Sequence, residues 1–261
     1  MVLLLFILFS NKFEKLIQYS KNFIGLIIAF IIVAVWTISL GECINISIFE
    51  TNKILIALAI LWQAFLFTGL FITAHDAMHG VVFPKNSQIN NYIGYLCVIL
   101  YAFFSYRKLL KRHHQHHQYP ASKLDPDYHN GKYKNFFAWY FYFMFRYWSW
   151  LRFLGMTIAY HSVRIIFNIP EINLLVFWAL PLLLSSIQLF YFGTYLPHKE
   201  PSEGYQNSHR TQSIYRPFIW SFITCYHFGY HEEHHKYPYL AWWQLPMIIK
   251  KNKVLKSVQT P

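Results

Sequence analysis

The stretch NFIGLIIAFIIVAVWTISL, Asn22–Leu40, runs nineteen residues without a charged side chain. At 1.5 Å of rise per residue, such a helix is about as long as the ~30 Å hydrocarbon core of a bilayer is thick. Inside that slab the backbone must satisfy its own hydrogen bonds, so the run reads as a transmembrane helix. Comparable stretches recur near 54–74 and 174–196, and a fourth, interrupted by Arg146, Arg152 and Arg164, falls in 136–167. Hydrophobic residues make up 55% of the 261-residue chain and charged residues 13%, against about a quarter charged in soluble domains. The expected fold is an all-α integral membrane protein, a single domain over 1–261 with about four transmembrane helices near 22–40, 54–74, 136–167 and 174–196.

Charge orients these helices. Lys12, Lys15 and Lys21 precede the first span, whereas the next connection carries Glu42, Glu50 and a single basic residue, Lys53. The positive-inside bias places the N-terminus in the cytoplasm. Tyr92–Tyr106 is too short for a comfortable crossing and lies between two cytoplasmic segments, so it reads as a re-entrant or interfacial helix. Pro181 should kink the last span. Four crossings leave both ends and every histidine-rich segment on the cytoplasmic face. The net charge of +12 would point a soluble protein toward nucleic acid. Here the basic residues sit between apolar segments and near the C-terminus, where they meet anionic headgroups. The tail WWQLPMIIKKNKVLK suits either a membrane-surface anchor or a terminal helix packed on the protein.

Several chemistries are set aside. Cys43, Cys97 and Cys225 form no CxxC pair and read as packed thiols. No two glycines stand closer than eleven positions, which excludes the common nucleotide-binding loops. The opening MVLLLFILFS lacks a basic region and cleavage signature and reads as an apolar segment, not a secretory signal.

Histidine is where the chemistry concentrates. Of fourteen histidines, most fall in three boxes: HDAMH (His75, His79), HHQHH within 113–117, and HEEHH (His231, His234, His235). On a helix, positions i, i+3 and i+4 share an arc, so each box can direct its imidazoles at one ion. Helical geometry alone does not choose between His113–His116–His117 and His113–His114–His117. The HxxHH spacing of the third box does, because Gln118 stands where a third partner of His114 would be. Eight histidines exceed the needs of one ion and suit two. His198, at the end of the last span, and His227, one helical turn before His231, are further candidates. His129, His161 and His209 read as surface or hydrogen-bonded residues. All-imidazole ligation suits iron, zinc, copper or nickel, and two redox-capable ions beside a lipid-facing pocket would serve O2 activation. Asp76 is expected to orient a ligating imidazole. Asp125, Asp127, Glu232 and Glu233 could do the same but read first as solvated carboxylates.

These boxes resemble the membrane fatty acid desaturase/hydroxylase superfamily. The stretches FLFTGLFITAHDAMHGVVFPKN, LSSIQLFYFGTYLPHKEP and SFITCYHFGYHEEHHKYPYLAWWQLP look like its β-carotene ketolase branch, with likeness from about Gly25 to Pro246. The resemblance implies two non-haem irons held by His75, His79, His113, His116, His117, His231, His234 and His235. His198 matches a further histidine of the superfamily, and His227 belongs to the CYHFGYH stretch. One departure lies in the second box. The family carries tryptophan at position 114 and His-Pro-Gly where Tyr119-Pro120-Ala121 stand here. That leaves His114 outside the ligand set and opens turnover and substrate range to question.

The implied reaction is oxidation of the C4 methylene of a β-ionone ring to a ketone, giving echinenone and canthaxanthin, with O2 as co-substrate. No acid–base residue separate from the histidines is assigned. Tyr191, Phe192 and Tyr195 either line the polyene tunnel or pack between helices. Electrons would come from a carrier such as ferredoxin docking on basic loops, with membrane lipid as the other partner and no nucleic acid. The competing readings are a carotenoid ring hydroxylase, a fatty acyl desaturase and, outside enzymes, a metal transporter.

Overall fold

The computed structural model describes residues 2–249, with side chains from Phe23 onward. The lysines expected to complete the C-terminal tail, Lys250 onward, lie outside the described residues. Among the described residues every regular element is a helix. They are α1 (Val2–Cys43), α2 (Lys53–Met78), α3 (Ser87–Ala102), α4 (Tyr106–Gln118), α5 (Phe136–Arg146) and α6 (Trp150–Ile166). Then follow α7 (Glu171–His198), α8 (Phe218–Cys225) and α9 (His231–Lys236). Asparagines start three of them. Asn52, Asn86 and Asn135 each accept a first-turn backbone N–H, from Ile54, Ile89 and Ala138, satisfying donors that a helix start leaves free.

α2 is the central column. From Gln63 to Met78 only Phe65 and Phe71 escape full burial, because α1, α3 and α7 pack around it. A helix apolar on every face belongs in such a place. Its few polar groups tie the bundle together. Ser39 donates to Gln63 at 2.9 Å. Thr68 bonds Ser185 at 2.9 Å and Gln188 at 2.7 Å, and Gln188 donates to the Thr224 carbonyl. Such bonds contribute about 0.6 kcal/mol each inside membranes. Facing outward, Phe30, Ile38, Ile54 and Leu61 are exposed, the surface a bilayer covers.

Among the described residues three helices are long and apolar enough to cross a membrane: Phe23–Cys43, α2 and α7. The pair α3–α4, bent by 101°, adds one if it counts as a broken span. The expected crossing at 136–167 takes another form. It divides at Tyr147–Ser149 into α5 and α6, of 11 and 17 residues. The division falls where the apolar run meets Arg146 and Arg152. Arg152 there donates to the Tyr147 carbonyl and lies 4.0 Å over the Phe104 ring.

Two turns aim the histidine helices. Phe103 adopts φ 55°, ending α3 and sending α4 back across the end of α2. Tyr226 and His227 adopt φ 48° and 61°, a conformation that costs a bulky residue about 1–2 kcal/mol. The turn is held by packing. The Tyr226 ring lies on Gly69, where a Cβ would stand 2.5 Å from its hydroxyl, and it stacks on Phe65 at 4.4 Å.

Candidate metal centre

α2 ends on His75 and His79, α4 carries its histidines toward them, α7 ends on His198, and α9 closes the assembly from below. Nine imidazoles form two groups. Group A holds His75, His79, His113, His117 and His234, and group B holds His116, His198, His231 and His235. Within each group the nearest ring nitrogens all lie within 4.8 Å of one another. All eight box histidines are thus brought together, and His198 joins them.

The spacing had suggested that each box converges on one ion. The first box stays whole in group A, but the other two are shared. α4 gives His113 and His117 to group A and His116 to group B. α9 gives His231 and His235 to group B and His234 to group A. The reason is angular. At about 100° per residue, i+4 lies about 40° to one side of i and i+3 about 60° to the other. The i, i+4 pair therefore closes on one point while the i+3 residue diverges.

The ring nitrogens face one another. His79 and His113 Nε2 are 2.6 Å apart, His117 and His234 3.0 Å, His116 and His235 3.1 Å, His198 and His231 3.0 Å. Donors on one ion with bonds of about 2.1 Å stand roughly 3.0–3.4 Å apart, so most of these separations suit shared coordination. Burial, reinforced by the neighbouring imidazoles, holds His231, His234 and His235 well below the usual histidine range. They are neutral, the form that ligates. Both nitrogens of His75 are buried without a hydrogen-bond partner. Four or five ring nitrogens gathered within 4.8 Å of one another, with His75 left unpartnered in a dry interior, are a donor set that fits metal.

Outer partners fix several rings. His198 Nδ1 donates to the Arg210 carbonyl at 3.1 Å, which leaves the Nε2 lone pair available to a metal. His116 Nδ1 lies 3.0 Å from both oxygens of Asp125, itself held by the Ala121 and Asp127 amides. Asp76 accepts from the Trp242 amide at 3.0 Å and lies 3.5 Å from His75 Nδ1 without a hydrogen bond to it. Asp125 is therefore no solvated carboxylate. Asp127 stands 3.8 Å from His116 Nδ1 and accepts from the Tyr147 hydroxyl. Glu233 is also buried, accepting from the Ser213 and Tyr215 hydroxyls, which anchors α9. The Glu232 amide donates to Ser213.

His227 belongs to neither group. The left-handed turn at Tyr226–His227 breaks the helix that would have placed it above His231, and its ring lies against Phe218 and Tyr230 instead. His114 also stays outside, its Nε2 3.2 Å from the Met78 carbonyl. His129 is buried, accepting from the Gly131 amide, while His161 is exposed. His209 is half-buried, its ring 6.1 Å from that of His235.

A cavity of about 340 Å³ ends on His75, His113, His116 and His231, so it touches both groups. Its walls are largely apolar, with Phe71, Met78, Leu109, Phe143 and Leu182 among them. Tyr191, Phe192 and Tyr195 are not part of the wall. Tyr191 and Tyr195 pack on Phe136, and Phe192 lies under Arg216. The turn that carries them is a π-helix over Tyr191–Tyr195, and it presents Gly193 and Thr194 to the cavity instead. Phe228, whose ring edges both His75 and His231, closes the metal end. Sequence reasoning had missed Phe228, Thr194 and Tyr147. The local signals were Phe228's place inside CYHFGYH and Thr194's inside LSSIQLFYFGTYLPHKEP.

A family model described as fatty acid desaturase matches residues 52–170 and 146–254. A zeaxanthin 4-ketolase of Chlamydomonas reinhardtii is 36% identical over 236 residues, 88% of this chain and 52% of the relative. A β-carotene 4-ketolase of Haematococcus lacustris is 43% identical over 188 residues, 70% of this chain and 58% of the relative. A β-carotene ketolase of Paracoccus sp. (strain PC1) is 38% identical over 197 residues, 75% of this chain and 79% of the relative. The chain thus spans little more than half the length of the algal relatives and most of the bacterial one. No solved structure matches.

Proposed function

This chain belongs to the fatty acid desaturase family, and we propose that it is a carotenoid 4-ketolase: it oxidises the C4 methylene of a β-ionone ring to a ketone at a non-haem diiron centre. One observation carries the reading. Two all-histidine groups close the end of an apolar cavity, where a hydrocarbon ring would lie against both metal positions. In this reading His75, His79, His113, His117 and His234 hold one iron, and His116, His198, His231 and His235 hold the other. Iron bound there supplies O2 activation and removal of an allylic hydrogen.

The chain's own contribution is placement. Apolar walls take up the ring and exclude water, Phe228 limits how deep it sits, and Asp125 fixes the rotation of His116. In each of two rounds one O2, two electrons and two protons convert a C4–H to C4–OH and water. The resulting geminal diol loses water to the ketone. Electrons come from a separate carrier such as ferredoxin, which docks on the histidine face. That face lies in the cytoplasm, by the lysine and arginine bias of the connections. Basic Arg107, Lys108 and Lys111 are exposed on α4 there and suit an acidic carrier. The whole chain acts as a single membrane domain.

Expression in cells that make β-carotene tests the reading. Echinenone and canthaxanthin are expected. Zeaxanthin would establish a ring hydroxylase and new unsaturated lipids a desaturase. Metal accumulation with no oxidised product would favour a transporter. Each of those results would overturn the ketolase.

A further inference from the structure

A ketolase must oxidise one carbon twice. After the first round that carbon carries a hydroxyl and a single remaining hydrogen, and the ring must present that hydrogen rather than leave as an alcohol. In an apolar cavity a free hydroxyl has lost its water and gains from any acceptor within reach.

One polar corner of the cavity adjoins His116 of group B. Tyr147 and Asp127 line it together with His116. Tyr147 donates its hydroxyl proton to Asp127, which stands 3.8 Å from His116 Nδ1. With its proton committed, the Tyr147 oxygen keeps lone pairs to accept with. The ring is held in place. The Arg112 guanidinium lies 4.6 Å from its centroid, and Phe143 packs on it at 4.8 Å. Arg112 is fixed in turn by the Arg146 carbonyl at 2.6 Å. Ser186, also on the wall, bonds Tyr140 and the Leu183 carbonyl, and Arg152 bonds the Tyr147 carbonyl and covers Phe104. The Thr194 hydroxyl lies on the π-helical turn, outside the Tyr147–Asp127–His116 cluster.

Building on the ketolase reading, we infer that Tyr147 is a positioning residue for the second oxidation: its hydroxyl oxygen accepts the proton of the C4–OH intermediate and turns the remaining C4–H toward the histidine groups. The hydrogen bond forms only once the first round has placed an oxygen on C4. It therefore retains the alcohol without favouring the starting hydrocarbon, which separates a ketone-forming site from one that releases an alcohol.

The test is the product ratio of Tyr147→Phe in β-carotene-producing cells, with iron per chain measured alongside. The ratio of 4-keto to 4-hydroxy rings is expected to fall about tenfold, the worth of one ordinary hydrogen bond, with 4-hydroxy product accumulating. An unchanged ratio, even at lower total turnover, overturns the inference. A second measurement uses the unaltered protein. A ring bearing 4-hydroxyl should compete with β-carotene better than one bearing 4-methoxyl, which has no proton to give. Equal competition also overturns it. If the unaltered protein forms no 4-oxygenated ring, it is the ketolase reading that fails.

Discussion

His116 and His117 are consecutive in the chain yet face different histidine groups, their rings 5.8 Å apart with planes at 86°. His117 meets His234, and His116 meets His235. The α9 partners are consecutive as well, so two adjacent pairs interlock and set the spacing of the groups. Slipping either helix by one residue would break both contacts at once.

Their sizes, five and four imidazoles, make the groups unequal in tolerance. His116→Ala leaves group B with three imidazoles, while His117→Ala leaves group A with four. Metal content should fall further in the first variant, and ketone formation should drop more than a hundredfold, beyond the ~10–100-fold cost of losing an outer partner. His114→Ala should keep both within about twofold. Metal analysis of purified protein with product assay checks this, and the opposite ranking of His114 and His116 would reassign the box.

Asp125→Asn is the matching test one step outward. The substitution keeps the shape but removes the charge that holds His116 Nδ1–H. A loss of roughly 10–100-fold in metal affinity or activity is expected, with the fold intact by circular dichroism. Wild-type affinity and turnover would show that His116 needs no such partner.

Much of this was legible in the sequence. The spans near 22–40, 54–74 and 174–196 needed only apolar length, and the eight box histidines needed only spacing. What escaped depended on where the chain turns. HEEHH reads as one ligand set while its three positions are taken as one arc, but His234 and His235 stand about 100° apart on α9 and meet different groups. His227 would stand one turn before His231 if that stretch were helical, but it and Tyr226 both take left-handed conformations. Asp125 looked like an ordinary loop carboxylate, since nothing local announces that residues 119–125 fold back on His116. The stretch 136–167 had the composition of a crossing, but Arg146 and Arg152 found partners within the protein and the helix divided between them.

Gly193 gives a steric test of the metal end of the cavity. A Cβ at this position would stand 2.4 Å from Phe228 Cε1, and Phe228 edges both His75 and His231. Gly193→Ala must push that ring aside, at a cost of about 1–3 kcal/mol for overpacking. Thermal unfolding should shift by a few degrees, while turnover falls more than that loss of folded protein explains. Unchanged turnover would mean that the ring position is not critical to the bound substrate.

Metal removal should loosen the whole assembly, because the two groups join α2, α4, α7 and α9. Metal held a thousandfold above its Kd contributes about 4 kcal/mol per site, about 10 °C or more in Tm for a chain of this size. Chelation in detergent should lower Tm by that order, and His227→Phe, away from both groups, should show the same shift. Zinc should restore Tm without restoring ketone formation, because it binds imidazole but has no redox chemistry. Iron should restore both. Recovery of turnover with zinc would exclude a redox role for the bound metal, and a Tm indifferent to chelation would mean that the histidine groups hold no metal in the folded protein.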